Sequence, residues 1–129
     1  MNIVDSSAWL EYFAGTKYAK NFEKAIEATE ILLVPAIVIY EVFKKILLEK
    51  DEHTALHVIA HMKLGKIIDM DLEIALKAAQ LSGKHQLPMA DSIILATAQK
   101  HNATIFTQDA DFKPFKNVRY FTKKIGASP

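Results

Sequence analysis

The chain has 129 residues, carries a formal net charge of +1, and is 50% hydrophobic and 24% charged, which suits one folded core and excludes a disordered or broadly polycationic protein. It has no cysteine, which excludes disulfides, thiolate nucleophiles and Cys-based zinc sites and is compatible with a reducing compartment. No apolar run approaches the ~20 residues of a membrane span, and Asp5 interrupts the apolar start before it can resemble a signal peptide.

Residues 2–4 read as a short buried strand that ends in an acid, Asp5. Ser6 or Ser7 can cap the helix that follows. Trp9, Leu10 and Phe13 give it an apolar side, Glu11 falls in its early turns, and Gly15 ends it. Residues 17–29 are expected as a second amphipathic helix, with Phe22 and Ile26 four apart. Residues 30–34 form a second strand stopped by Pro35, whose ring favours extended geometry in the residue before it. Helices are expected over 36–50 and 52–64, the latter closed by Gly65, and 66–69 is a third strand. Residues 71–84 are helical, with Leu72, Ala75, Leu76 and Ala79 inward and Gly83 as the C-cap. Pro88 opens a helix to about His101, at little cost because its missing N–H would be unpaired in a first turn anyway. Residues 103–106 are a fourth strand and 118–121 a fifth. Residues 1–122 then form a single domain, and the polar tail 123–129 is expected to be flexible. Strands alternating with helices predict an α/β fold, a three-layer α/β/α sandwich around a mainly parallel sheet of four to five strands.

Four acids fall at the strand-end or helix-start side of their units: Asp5, Glu41, Asp91 and Asp109. That side is one rim of an open α/β sheet, where ligands bind. Singly, each has an ordinary role. Asp5 can cap a helix, Glu41 can pair with Lys44 or Lys45, Asp91 can sit at a helix mouth, and Asp109 can make a turn. Together they would repel and raise one another's pKa, and a divalent cation removes that cost. Oxygen-only ligands suit Mg²⁺ or Mn²⁺ better than Zn²⁺. The chemistry this suggests is phosphodiester hydrolysis by a metal-activated water, with no side-chain nucleophile. Ser6 and Thr107 are placed to orient a carboxylate, a water or the scissile phosphate, and Lys44 and Lys45 are weak candidates for the phosphate backbone.

The stretches Asp5-Ser6-Ser7-Ala8-Trp9-Leu10-Glu11, Tyr40-Glu41-Val42, Leu87-Pro88-Met89-Ala90-Asp91-Ser92 and Phe106-Thr107-Gln108-Asp109-Ala110-Asp111-Phe112 resemble the PIN domain family, and within it the VapC-type toxin ribonucleases. The resemblance implies a Mg²⁺- or Mn²⁺-dependent endoribonuclease with Asp5, Glu41, Asp91 and Asp109 as catalytic acids. Asp5, Asp91 and Asp109 are the leading metal ligands. Glu41 and Asp111 rank behind them, because Asp109 fits the Thr-x-Asp pattern of the last motif better. For VapC-like members the resemblance also implies an RNA substrate, a cognate antitoxin of a type II pair, a homodimer and a prokaryotic cytoplasm.

Other readings compete for these residues. His53, His57 and His61 recur every four positions, but the outer two are ~12 Å apart along a helix, so the three read as a partly solvated face. The apolar stretch 29–43, with Tyr12 and Phe13, combines core with a possible dimer or antitoxin surface. Alternatives are a PIN-fold RNA-processing nuclease outside any toxin pair, a receiver-type module phosphorylated on Asp69, a haloacid-dehalogenase-like phosphotransferase and a silent interaction module. A receiver needs an acidic neighbour for Asp5 and a dehalogenase needs an acid where Ser7 stands, so both lack required groups.

Overall fold

The computed structural model describes residues 1–123. Five strands make one sheet: β1 (Asn2–Val4), β2 (Leu32–Pro35), β3 (Lys66–Ile68), β4 (Thr104–Thr107) and β5 (Val118–Tyr120). Their order is β3-β2-β1-β4-β5 and every pairing is parallel. The chain therefore leaves β1 to build one half of the sheet outward, then crosses back to β1 with β4 to build the other half. That reversal makes a crevice at the carboxyl ends of β1 and β4. Helices form the outer layers, as a parallel sheet requires. They are α1 (Ser6–Ala14), α2 (Glu23–Glu27), α3 (Ala36–Glu49), α4 (Glu52–Met62), α5 (Leu72–His85) and α6 (Met89–His101). Ile3, Val4, Leu33, Val34 and Ile105 on the central strands are almost fully buried and join α1, α3 and α6 in one core with Trp9, Val38, Val42, Ile94 and Leu95.

Four local expectations are corrected. Residues 17–29 do not form one helix. They make a 3-10 turn at Ala19–Asn21, the five-residue α2 and a second 3-10 turn at Thr29–Ile31, because the backbone leaves the helical region at Ala28 (φ −80°, ψ 66°), while Phe22, Ala25 and Ile26 bury in the core. The cap of α1 is Asp5 itself, whose carboxylate accepts the Ala8 N–H, rather than Ser6 or Ser7. Gly15 ends that helix with φ 65°, a left-handed backbone that favours glycine. In α5 the inward face is Ile74, Ala78 and Leu81, not Leu72 and Leu76, which are 74% and 59% exposed. Both stripes have helical spacing, so periodicity alone could not choose between them. Gly83 lies inside α5, and the left-handed C-cap is Gln86 with φ 56°. Lys123, assigned to the tail, is described and pairs with Glu11; the rest of the expected flexible tail, 124–129, lies outside the described residues.

Candidate metal centre

The site is built from four segments that meet at the β1–β4 crevice. Asp5 follows β1 and is 3% exposed. Its carboxylate accepts from the Ala8 amide at 3.1 Å and the Ser7 hydroxyl at 3.2 Å on one oxygen, and from the Thr107 hydroxyl on the other. Burial pushes Asp5 up to about 6 despite those donors, and the charge of Asp109 adds to the rise. Thr107, fully buried at the end of β4, is a two-way link: it donates to Asp5 and accepts the Asp109 amide at 2.8 Å. Asp109 then accepts the Asp111 amide at 2.9 Å, which starts a 3-10 turn over Ala110–Phe112.

Asp91 enters from the first turn of α6, just after Pro88. One carboxylate oxygen from each of Asp91, Asp109 and Asp111 lies within 4.8 Å of the others. Burial, then the charge of Asp109, a hydrogen bond with Asp111 and the charges of Asp111 and Glu41 push Asp91 up to about 8. Glu41, on α3, accepts from the Ser6 hydroxyl at 2.9 Å. The structure thus brings together Asp91, Asp109 and Asp111, and it places Asp5 and Glu41 beside them rather than within the same 4.8 Å group. Asp111, ranked behind Asp109 in sequence, stands in the group alongside it. The signal for it was the Asp-Ala-Asp spacing, which a tight turn folds back on itself. All donors are carboxylate oxygens, and burial together with the neighbouring charges of Asp109, Asp111 and Glu41 raises Asp91, a cost that a hard divalent cation would offset, so the set fits a cation such as Mg²⁺ or Mn²⁺.

Ser6 donates to the Glu41 carboxylate and Thr107 to that of Asp5. Lys44 and Lys45 do not pair with Glu41. Lys44 lies over the Tyr40 ring at 5.7 Å, and Lys45 bridges Glu49 at 2.8 Å. His53 and His57 are exposed, and His61 packs edge-on against Tyr12 and Phe13. Sequence reasoning missed the role of Glu11. It is 8% exposed and accepts from the Gln108 amide at 2.7 Å and the Thr16 hydroxyl at 3.0 Å, with Lys123 at 3.0 Å. Burial pushes its carboxyl up, but Gln108, Lys123 and Thr16 outweigh burial and hold it below the usual range. Because Gln108 stands between Thr107 and Asp109, this contact ties the acidic loop to α1.

Parallel strands in the order 3-2-1-4-5, with carboxylates gathered at the switch point, define the class. The PIN domain profile matches residues 3–118, and the chain belongs to the PIN domain family, a family of nucleases. Comparison with curated proteins gives no match. Among solved structures, the chain resembles a toxin–antitoxin complex from Klebsiella pneumoniae, with TM-score 0.78, 24% identity, and 92% of this chain and 96% of that one covered. It also resembles VapC20 of Mycobacterium tuberculosis, a Sarcin-Ricin loop cleaving toxin, with TM-score 0.73, 16% identity and coverage of 92% and 99%. VapBC2 of Rickettsia felis, bound to a promoter DNA fragment, gives TM-score 0.71, 16% identity and coverage of 93% and 96%. At these identities the likeness is one of fold. The receiver reading falls with it: receivers order their strands 2-1-3-4-5, and here Asp69 follows the edge strand β3, away from the crevice.

Proposed function

We propose that the protein is a Mg²⁺- or Mn²⁺-dependent endoribonuclease and the toxin of a type II toxin–antitoxin pair. The observation that carries the chemistry is the Asp91–Asp109–Asp111 group with Asp91 raised to about 8. Those three would hold the cation, with Asp5 and Glu41 adjoining. A bound divalent ion supplies charge neutralisation at the scissile phosphate and a more acidic water. The chain's own residues do the rest. Thr107 fixes the rotamer of Asp5 and, through the Asp109 amide, the entry of the acidic turn. Ser6 fixes Glu41 toward α1. Pro88 and the first turn of α6 point the Asp91 carboxyl at the other two acids.

The toxin assignment is supported by the likeness to toxin–antitoxin structures that cover nearly the whole chain. An antitoxin and a second copy of the chain are the partners proposed on the same ground. Purified protein should cleave RNA with Mn²⁺ or Mg²⁺ and lose activity with EDTA. Expression should arrest growth, and Asp5→Asn should relieve the arrest. Cleavage that survives EDTA and the Asp91→Asn change would remove the metal reading.

A further inference from the structure

Along the α5–α6 hairpin, from Gln99 and Lys77 to Lys84 and His85 just before Pro88, lies an open groove of about 630 Å³. None of Asp5, Glu41, Asp91, Asp109 and Asp111 lines it. Lys77, Lys84 and Lys116 line it, and no acid does. Among the described residues, none of the three lysines has a carboxylate within ion-pair distance. On a chain whose net charge is only +1, that is a local excess of three positive charges on a surface that none of the clustered acids lines.

Two ordinary explanations account for part of it. Lys84 and His85 sit in the last turn of α5 and complement the helix dipole. Lys77 is two turns earlier and Lys116 lies on the loop before β5, so the dipole explains neither. Lys100, in the adjoining hollow, shows what a structural lysine looks like here: Asp71 and Glu73 take its charge. The groove also holds the half-buried Phe115 ring, braced edge-on by His85 at 5.0 Å. Unpaired cations around an aromatic ring are the components of a single-strand nucleic-acid track.

We propose that this groove binds single-stranded RNA, with Lys77, Lys84 and Lys116 on phosphates and Phe115 against a base. The proposal rests on the ribonuclease reading and gives it a second contact. A rim of carboxylates repels a polyanion, and a basic track outside that rim offsets the repulsion and holds the strand.

The test is fluorescence anisotropy with a labelled oligouridylate of roughly a dozen nucleotides, in EDTA, across a salt series. Each phosphate neutralised on a single strand contributes about −0.7 to the slope of log K against log salt. The combined Lys77→Gln, Lys84→Gln, Lys116→Gln protein should lose about 2 from that slope and bind more than ~10-fold more weakly at low salt. All three side chains are exposed, and a thermal melt verifies that the variant is folded. Equal slopes for the two proteins, or a wild type that does not bind RNA, overturn the proposal. So does competition by uridine monophosphate or polyglutamate as strong as by RNA, which would assign the groove to a free nucleotide or an acidic protein. Because binding is read without metal, it is separate from cleavage. An RNA-binding groove on a protein that never cleaves RNA would keep this inference and reject the nuclease.

Discussion

Replacing Asp91 by Asn should stabilise the metal-free protein. Asp91 is half-buried among like charges and raised from 3.8 to about 8. Near neutral pH the unfolded chain carries this carboxylate ionised, while the folded chain must take up a proton. The sign follows from linkage: a carboxyl raised in the folded state favours folding at low pH, and that advantage is lost as pH climbs from the unfolded value through the folded one. At about pH 7 roughly three pH units of the shift are realised, or ~4 kcal/mol, which solvent screening of a half-exposed group reduces to about 2 kcal/mol. Asn keeps the shape and can still donate to Asp111, and it needs no proton. For a domain of this size the gain corresponds to about 6–10 °C in Tm. The measurement is a thermal melt in EDTA and again in excess Mn²⁺. Wild type should gain about 3 kcal/mol at 100-fold excess over Kd, whereas Asp91→Asn should gain much less. If Asp91→Asn melts at or below wild type in EDTA, or responds equally to Mn²⁺, the repulsion argument is wrong.

Other outcomes follow from the same geometry. The metal-free protein should lose stability as pH rises from about 4 through the raised values of Asp5, about 6, and Asp91, about 8, and saturating Mg²⁺ should reverse that trend; urea unfolding at several pH values reads it. Thr107→Val orphans both an Asp5 oxygen and the Asp109 amide, so it should cost about 2 kcal/mol in urea and weaken Mn²⁺ binding by calorimetry, while an unchanged midpoint would dismiss the link. A Cβ at Gly65 would sit 3.0 Å from the Leu32 carbonyl and the Val34 side chain, so Gly65→Ala should destabilise, whereas Gly83→Ala meets nothing within 4 Å inside α5 and should add about 0.5–1 kcal/mol. Paired denaturation curves that moved in the same direction would contradict this contrast.

The sheet was readable because its strands are short apolar runs ended by Asp5, Pro35 and the turn after Thr107, and chain order then forces parallel pairing. The acids were readable by position: each follows a strand or opens a helix, and such positions share one rim. What could not be read was geometry inside a turn or between equivalent stripes. Asp109 and Asp111 are two apart in sequence, and only the 3-10 turn decides that both face Asp91. Leu72 and Leu76 have the same spacing as Ile74 and Ala78, and only the packing of α5 on α6 decides which pair is covered. Glu11 looked like a helix charge because its partners Gln108 and Lys123 are near the other end of the chain.

The bond between Thr107 and Asp5 spans 102 residues. A ribosome that has added α6 has already made Asp5, Glu41 and Asp91, yet β1 still lacks β4, and the buried Asp5 carboxyl lacks its Thr107 donor. Asp109 and Asp111 come later still. The acid cluster is therefore the product of one late loop closure, with its entropy cost deferred until nearly the whole chain is free to fold. A chain ending after α6 holds only Asp91 of the three clustered acids and so lacks the centre.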